Sequence, residues 1–274
     1  MTLPRLAASL NWLLPGKTPQ EGFPILRAMG FRAVEHVFPY PVPAPEMHEL
    51  LSANGLDLSL IVTPCRFEQG EWGFASTPGR EAEFADSVVA AIDYARQVGC
   101  RIIGTLAGTI PEGADRMPYD AVFAANLAVA ARMVRDAGME ISLEPIARVR
   151  SPRFALHTLE QTAAVIDASG ADSIGICFDT FHIALEGCDV NAAFDAYAER
   201  INYLQLGSPP GRTGPDQAGK PDAGEVDLPA FLRHALPRCH AAWVGCEYVI
   251  PQAEPAQSVM GWADEFIMAR KLRW

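Results

Sequence analysis

Short apolar runs alternate with amphipathic stretches along the whole chain, and this rhythm restricts the fold more than any single motif. Strand-like runs cover Arg5 to Leu10, Ala33 to Val37, Leu56 to Val62 and Arg101 to Leu106. Four more follow: Ile141-Ser142-Leu143-Glu144, Ile174-Gly175-Ile176-Cys177-Phe178-Asp179, Ile201-Asn202-Tyr203-Leu204-Gln205 and Trp243-Val244-Gly245-Cys246-Glu247. Runs of this length, rich in β-branched and aromatic residues, read as strands buried on both faces of a parallel sheet. Helix signals fill the intervals. Thr18-Pro19-Gln20-Glu21 and Thr158-Leu159-Glu160-Gln161 are capping boxes, the first with proline at the first helical position. Phe23, Leu26 and Met29 share one face before Gly30 stops that helix, and Gly55 stops the next, which follows Pro41, Pro43 and Pro45. Thr77-Pro78 is expected to open a helix with Phe84, Val88, Ile92 and Ala95 inward, closed by Gly99. Further helices are expected over Ala121 to Ala137, from Thr158 to near Gly170, and around Val190 to Ala198. The last two run from Asp227 to Leu236 and from about Ala256 to Met268.

Parallel strands joined by helical crossovers build either an open doubly wound sheet or a closed eightfold barrel. The chain has 274 residues, near the roughly 250 usual for the barrel. No Gly-rich dinucleotide fingerprint follows the first strand, which disfavours the open sheet. The expectation is an α/β fold, a (β/α)8 TIM barrel, with residues 1–274 forming a single domain. Two loops are long enough to suggest function: Pro64 to Thr77, containing Glu71-Trp72-Gly73, and the Gly- and Pro-rich Gly207 to Gly224.

A net charge of −11 lacks the basic face of a nucleic-acid binder. No apolar run approaches the roughly 20 residues of a membrane span, and Met1-Thr2-Leu3-Pro4-Arg5 does not open a signal peptide. Six cysteines without paired spacing, two of them in buried strands (Cys177, Cys246), read as reduced thiols of a cytoplasmic protein. Nothing near Cys239-His240 completes a zinc site. The expected partner is a small molecule; the sequence leaves assembly into a homo-oligomer open.

The last four strands each end in an oxygen-bearing side chain: Glu144, Asp179, Gln205 and Glu247. Such groups are costly to bury unpaired. In a barrel, chemistry gathers at the C-terminal strand ends, where these residues stand on consecutive strands. Each alone reads as a cap or ion-pairing group. Together they form a hard, oxygen-rich set suited to Mg²⁺ or Mn²⁺. His182, just past the sixth strand, is either a loop hydrogen-bonding group or one that orients a substrate oxygen. Arg212, after the seventh, is either a solvated loop arginine or the partner of a carboxylate or hydroxyl. Two glutamates beside one divalent cation suit aldose–ketose isomerisation or epimerisation. The cation acidifies a carbon-bound proton and stabilises an enediolate while one glutamate removes that proton and the other returns one. No organic cofactor is required.

The chain resembles the xylose-isomerase-like superfamily of metal-dependent TIM barrels and, within it, the hydroxypyruvate isomerase family. Segments along nearly the whole chain carry the resemblance: Gly30-Phe31-Arg32-Ala33-Val34-Glu35 with Phe38-Pro39-Tyr40, Pro78-Gly79-Arg80-Glu81-Ala82-Glu83-Phe84, Glu144-Pro145-Ile146, Asp179-Thr180-Phe181-His182, Leu204-Gln205, Gly224-Glu225 and Trp243-Val244-Gly245-Cys246-Glu247-Tyr248. The segment Asp179-Thr180-Phe181-His182 also resembles the ketose 3-epimerases. The resemblance implies that Glu144, Asp179, Gln205 and Glu247 bind the metal, that Glu144 and Glu247 double as acid and base, and that His182 and Arg212 contact substrate. It implies conversion of hydroxypyruvate to tartronate semialdehyde. A 2-oxo-tetronate isomerase or a ketose 3-epimerase is the alternative, with an apurinic endonuclease relative or a non-catalytic sugar-binding barrel further off. Departures from the family pattern lie at the substrate rim. Ala147 stands where the family has Asn, Tyr203 precedes the metal Gln where His is usual, and Gly104 replaces a fourth-strand His. Arg148 and Arg150 make one loop more basic, and the loop from Ser208 to Ala223 is longer. Arg212, with Arg148 as a second candidate, is expected to neutralise the substrate carboxylate.

Overall fold

The computed structural model describes residues 4–215, 226–250, 260–269 and 271–273. Eight strands form a closed barrel in chain order. They are β1 (Arg5–Ser9), β2 (Ala33–Glu35), β3 (Asp57–Val62), β4 (Ile102–Gly104), β5 (Glu140–Leu143), β6 (Ile174–Asp179), β7 (Ile201–Leu206) and β8 (Trp243–Cys246). All neighbours pair in parallel, and β8 returns to β1 through Leu6↔Val244 and Ala7↔Gly245. The surrounding helices are α1 (Leu10–Leu13), α2 (Pro19–Ala28), α3 (Ala44–Asn54), α4 (Glu81–Val98), α5 (Met117–Asp136), α6 (Leu159–Ser169), α7 (Thr180–Leu185), α8 (Val190–Tyr197), α9 (Leu228–Ala235) and α10 (Gly261–Met268). The eight-stranded α/β TIM barrel read from the sequence is the fold observed. Among the described residues, no helix is long and apolar enough to cross a membrane.

Two apolar layers hold the structure. The larger lies between the sheet and the helices and includes Phe23, Leu26, Phe84, Val88, Leu127, Leu143, Phe178, Phe231 and Phe266. The smaller, inside the barrel, is built from Leu60, Val62, Ile102, Cys177 and Tyr203. Both capping boxes form: the Thr18 and Thr158 hydroxyls accept from the amides of Glu21 and Gln161, whose side chains accept from the amides of Thr18 and Thr158. Each satisfies donors that a helix start would otherwise leave bare.

Several boundaries differ from the sequence reading, each for a local reason. The helix expected from Thr77-Pro78 begins only at Glu81, because Gly79 adopts φ 82 and its amide donates to the Glu81 carboxylate at 3.0 Å. Leu10 starts helix α1 instead of ending β1, and β2 stops at Glu35. Glu144 and Glu247 lie one residue past regular pairing, since β5 ends at Leu143 and β8 at Cys246. Helix α7 is unforeseen: the Asp179 side chain caps it by accepting from the Phe181 amide at 2.9 Å. Segment Gly224-Glu225, the 208–223 loop beyond residue 215 and the expected start of the last helix near Ala256 lie outside the described residues.

Below the barrel mouth the β6–β7 register shifts between Ile176 and Cys177. Asn202 crosses over Gly175 to reach β5: its amide nitrogen donates to the Ile141 carbonyl at 3.0 Å, and its oxygen accepts from the Ser142 hydroxyl at 2.7 Å. A Cβ on Gly175 would sit 2.2 Å from the Asn202 Cγ. Gly175→Ala is therefore expected to expel the Asn202 amide and cost about 2–3 kcal/mol, lowering Tm by roughly 4–10 °C. A calorimetric Tm within a degree of the parent would show that this crossing does not matter.

Candidate active site

The C-terminal strand ends open into a cavity of about 860 Å³. Its floor includes Ser142, Glu144, Cys177, His182, Gln205, Arg212 and Glu247, and one wall is aromatic, with Phe38, Phe67 and Trp72. Successive rings along that wall lie 5.0 Å apart, Phe38 to Phe67 and Phe67 to Trp72.

Strand register brings the polar ends together. Asp179 pairs directly with Gln205, and Gln205 with Gly245. Gly245 is required there, because a Cβ would lie 2.5 Å from Glu35 Oε2 and 3.2 Å from Gln205 Cγ. Asp179, Gln205 and Glu247 are buried, and Glu144 is half-buried and lines the cavity.

Arg212 ties two of the carboxylates. Its Nη2 donates to Asp179 Oδ2 at 2.6 Å and to Glu247 Oε2, and its Nε donates to the Glu247 carbonyl at 2.6 Å. The guanidinium packs on the Trp12 and Phe181 rings, 4.4 and 4.6 Å from their centroids. Burial works against its charge, but Asp179, Glu247 and Glu144 outweigh that and raise its pKa further. Arg212 adopts φ 54, a left-handed conformation unusual for a side-chain-bearing residue. Paired backbone bonds between Ser208 and Thr213, and a bond from the Val249 amide to the Arg212 carbonyl at 2.9 Å, hold it there. Of the two readings open in the sequence, a solvated loop arginine is excluded.

His182 projects from α7 one turn after Asp179. Its Nε2 lies 3.6 Å from Glu144 Oε1 and 3.7 Å from Asp179 Oδ2. Its Nδ1 accepts from the Ala147 amide at 3.2 Å. A backbone amide can only donate, so Nδ1 carries the lone pair and the proton of the neutral ring sits on Nε2. Burial pushes the pKa down to about 4, so the ring is neutral near pH 7.

Sequence reasoning passed over Glu35. This fully buried carboxylate at the end of β2 accepts from the Tyr203 hydroxyl at 2.8 Å and from Gln205 Nε2 at 3.3 Å. Gln205 is also gripped at Oε1 by the Cys177 thiol, 2.9 Å away. Glu35 ends the apolar run Ala33-Val34 as Glu144 ends its own, so the same signal marks it once β2 is stopped at the right residue. Tyr203 is thus a donor to Glu35.

The mouth therefore gathers four carboxylates, Glu35, Glu144, Asp179 and Glu247, around Arg212 and a neutral histidine. Burial raises the pKa of Glu144, Glu247 and Glu35. Repulsion from Asp179 adds to the effect at Glu144; Arg212 opposes it at Glu247, and the Tyr203 hydrogen bond opposes it at Glu35. Groups with displaced pKa values in a cleft are the usual carriers of acid–base chemistry. Ligand atoms of Glu144, Asp179 and His182 all lie within 4.8 Å of one another. An oxygen-rich set with surplus negative charge fits a hard divalent cation.

Comparison with known proteins places the chain in a family. The family described as "Xylose isomerase-like TIM barrel" matches residues 23–266. The 2-oxo-tetronate isomerase of Cupriavidus necator is 32% identical over 97% of this chain and 99% of its own. The hydroxypyruvate isomerase of Escherichia coli is 31% identical over 96% of this chain and 99% of its own. A crystal structure titled AP endonuclease, family 2, from Brucella melitensis superposes with a TM-score of 0.86 at 26% identity, covering 96% of this chain and 99% of that one. The chain belongs to the xylose isomerase-like TIM barrel family, in the branch that holds the hydroxypyruvate and 2-oxo-tetronate isomerases, and is an isomerase.

Proposed function

We propose that the enzyme is a cytoplasmic, Mg²⁺- or Mn²⁺-dependent isomerase of a small hydroxy-carbonyl acid, with hydroxypyruvate to tartronate semialdehyde as the first candidate reaction. The observation that carries this reading is that Glu144 and Glu247, just past the ends of β5 and β8, face one cavity beside Gln205, His182 and Arg212. The curated relatives named above act on such acids.

The residues that would hold the cation are Glu144, Asp179, Gln205 and Glu247. Once bound, it would polarise the substrate's carbonyl and neighbouring hydroxyl and so acidify the adjacent C–H. One glutamate removes a proton from C3 of hydroxypyruvate; the other delivers one to C2. The hydroxyl proton passes in the same sense, from the C3 oxygen to the C2 oxygen, so the product is tartronate semialdehyde with no net gain or loss of atoms; exchange with solvent resets the two glutamates. His182 acts as a donor. A metal-binding histidine needs a free lone pair at the ligating nitrogen, and here the Ala147 amide claims Nδ1, which leaves a proton on Nε2. That proton suits a developing oxygen charge on the substrate. Arg212 holds Asp179 and Glu247 in place, and Glu35 with Cys177 sets the rotamer of Gln205.

A nuclease reading has less support. The net charge is −11, and the cavity wall is aromatic. Nucleic-acid binding rests on many phosphate-neutralising cations, whereas Arg66, Arg150 and Arg212 are the arginines that line this cavity among the described residues.

Glu247→Gln, which keeps an oxygen donor but removes one of the two proton-transferring carboxylates, is expected to lower kcat at least about 10²-fold with the fold unchanged. Solvent-deuterium incorporation into hydroxypyruvate, followed by NMR, measures it; near-parental exchange would remove Glu247 from the mechanism. Exhaustive chelation is expected to abolish turnover, and added Mg²⁺ or Mn²⁺ to restore it. Full activity in protein shown by elemental analysis to be metal-free would contradict the cation's role.

A further inference from the structure

The proposed substrates carry a carboxylate, and burying that charge requires a cation facing the cavity. The sequence points to Arg212 or Arg148. The structure disfavours both. Arg212 already serves Asp179 and Glu247, and its guanidinium is packed on the Trp12 and Phe181 rings. Arg148 turns to Glu186, which accepts from its backbone amide at 2.6 Å and from its Nη1 at 3.2 Å; it is not among the cavity-lining residues. Arg66 lines the cavity, but its Nη2 pairs with Glu83 at 2.9 Å.

Arg150 differs from all three. It lines the cavity, its side chain is exposed, and it has no ion pair or side-chain hydrogen bond among the described residues. Its charge is felt at His182, where it opposes protonation of the ring. The turn that carries it is fixed: the Arg150 and Ser151 amides both bond the Ala147 carbonyl, at 2.9 and 3.2 Å. The Ala147 amide grips His182, and Glu186 grips Arg148. Past the turn, the Ile110 amide bonds the Arg153 carbonyl at 2.8 Å. A guanidinium without an ion-pair partner among the described residues is thus held on a braced turn that also grips the histidine whose Nε2 lies near Glu144 and Asp179.

We propose that Arg150 is the specificity-determining residue that receives the substrate carboxylate, so that the enzyme selects hydroxy-carbonyl acids over neutral ketoses of the same length. The assignment rests on the proposed reaction, and it also makes a claim about binding alone. Dihydroxyacetone, in which a hydroxymethyl group replaces the carboxylate of hydroxypyruvate, is the neutral control. The test compares the parent, Arg150→Met and Arg150→Lys, each loaded with Mn²⁺. Binding of the two ligands is read from the fluorescence of the cavity tryptophans (Trp12, Trp72) and turnover from deuterium exchange.

Arg150→Met is expected to raise Kd and KM for hydroxypyruvate roughly 10- to 100-fold, the loss of one charge-assisted contact. Its kcat stays within about threefold, since the contact serves ground and transition states alike, and dihydroxyacetone is handled as by the parent. Arg150→Lys recovers part of the loss. Unchanged affinity for hydroxypyruvate in Arg150→Met, or an equal loss for both ligands, overturns the assignment. A parent enzyme that binds hydroxypyruvate and 2-oxo-tetronate yet exchanges no proton of either overturns the proposed reaction instead; Arg150 is then judged on the binding ratio alone.

Discussion

Everything at the mouth of this barrel depends on how its buried negative charge is balanced. Glu35, Glu144, Asp179 and Glu247 converge where water is largely excluded, with Arg212 the only buried arginine among the described residues. A carboxylate without a partner is costly in such a setting, and protonation or a bound cation relieves the cost. The arrangement resembles a site kept short of positive charge so that a ligand can complete it. Arg212 is committed to Asp179 and Glu247 through its side chain and held by the backbone bonds around Ser208, Thr213 and Val249. It sets the geometry more than it relieves the deficit.

The fold supplies this convergence through register. Parallel pairing places Asp179, Gln205 and Gly245 side by side, and the missing side chain at Gly245 leaves the space that Glu35 and Gln205 fill. Tyr203 and Ser59 support Glu35 from below the mouth, with the Ser59 and Tyr203 hydroxyls 2.8 Å apart. Asp179, Gln205 and Glu247 are therefore oriented by buried hydrogen bonds. Helix α7 adds economy of placement: Asp179 caps it, and one turn later it delivers His182 to the same carboxylates.

Much of this was legible in the residues, and the gaps have physical reasons. Buried parallel strands leave uniform apolar runs, and an oxygen-bearing residue at the end of one is conspicuous; this is why Glu144, Asp179, Gln205 and Glu247 could be named. Capping boxes and stop glycines located helices α2 and α6 closely. Helix α7 leaves no signal in the sequence because it follows β6 with no intervening turn, and its cap, Asp179, reads equally well as a site carboxylate. Glu35 was missed because Val37 continues its apolar run in sequence but not in pairing. The commitments of Arg212 and Arg148 depend on partners 33 to 38 residues away, which no local pattern encodes.

In the proposed function a divalent cation completes this charge deficit at the ends of β5, β6, β7 and β8. Anomalous diffraction at the manganese edge, from crystals equilibrated with Mn²⁺, tests it most directly. The account predicts one dominant peak coordinated by Glu144, Asp179, Gln205 and Glu247. A peak elsewhere in the barrel, or none at saturating metal, would contradict it.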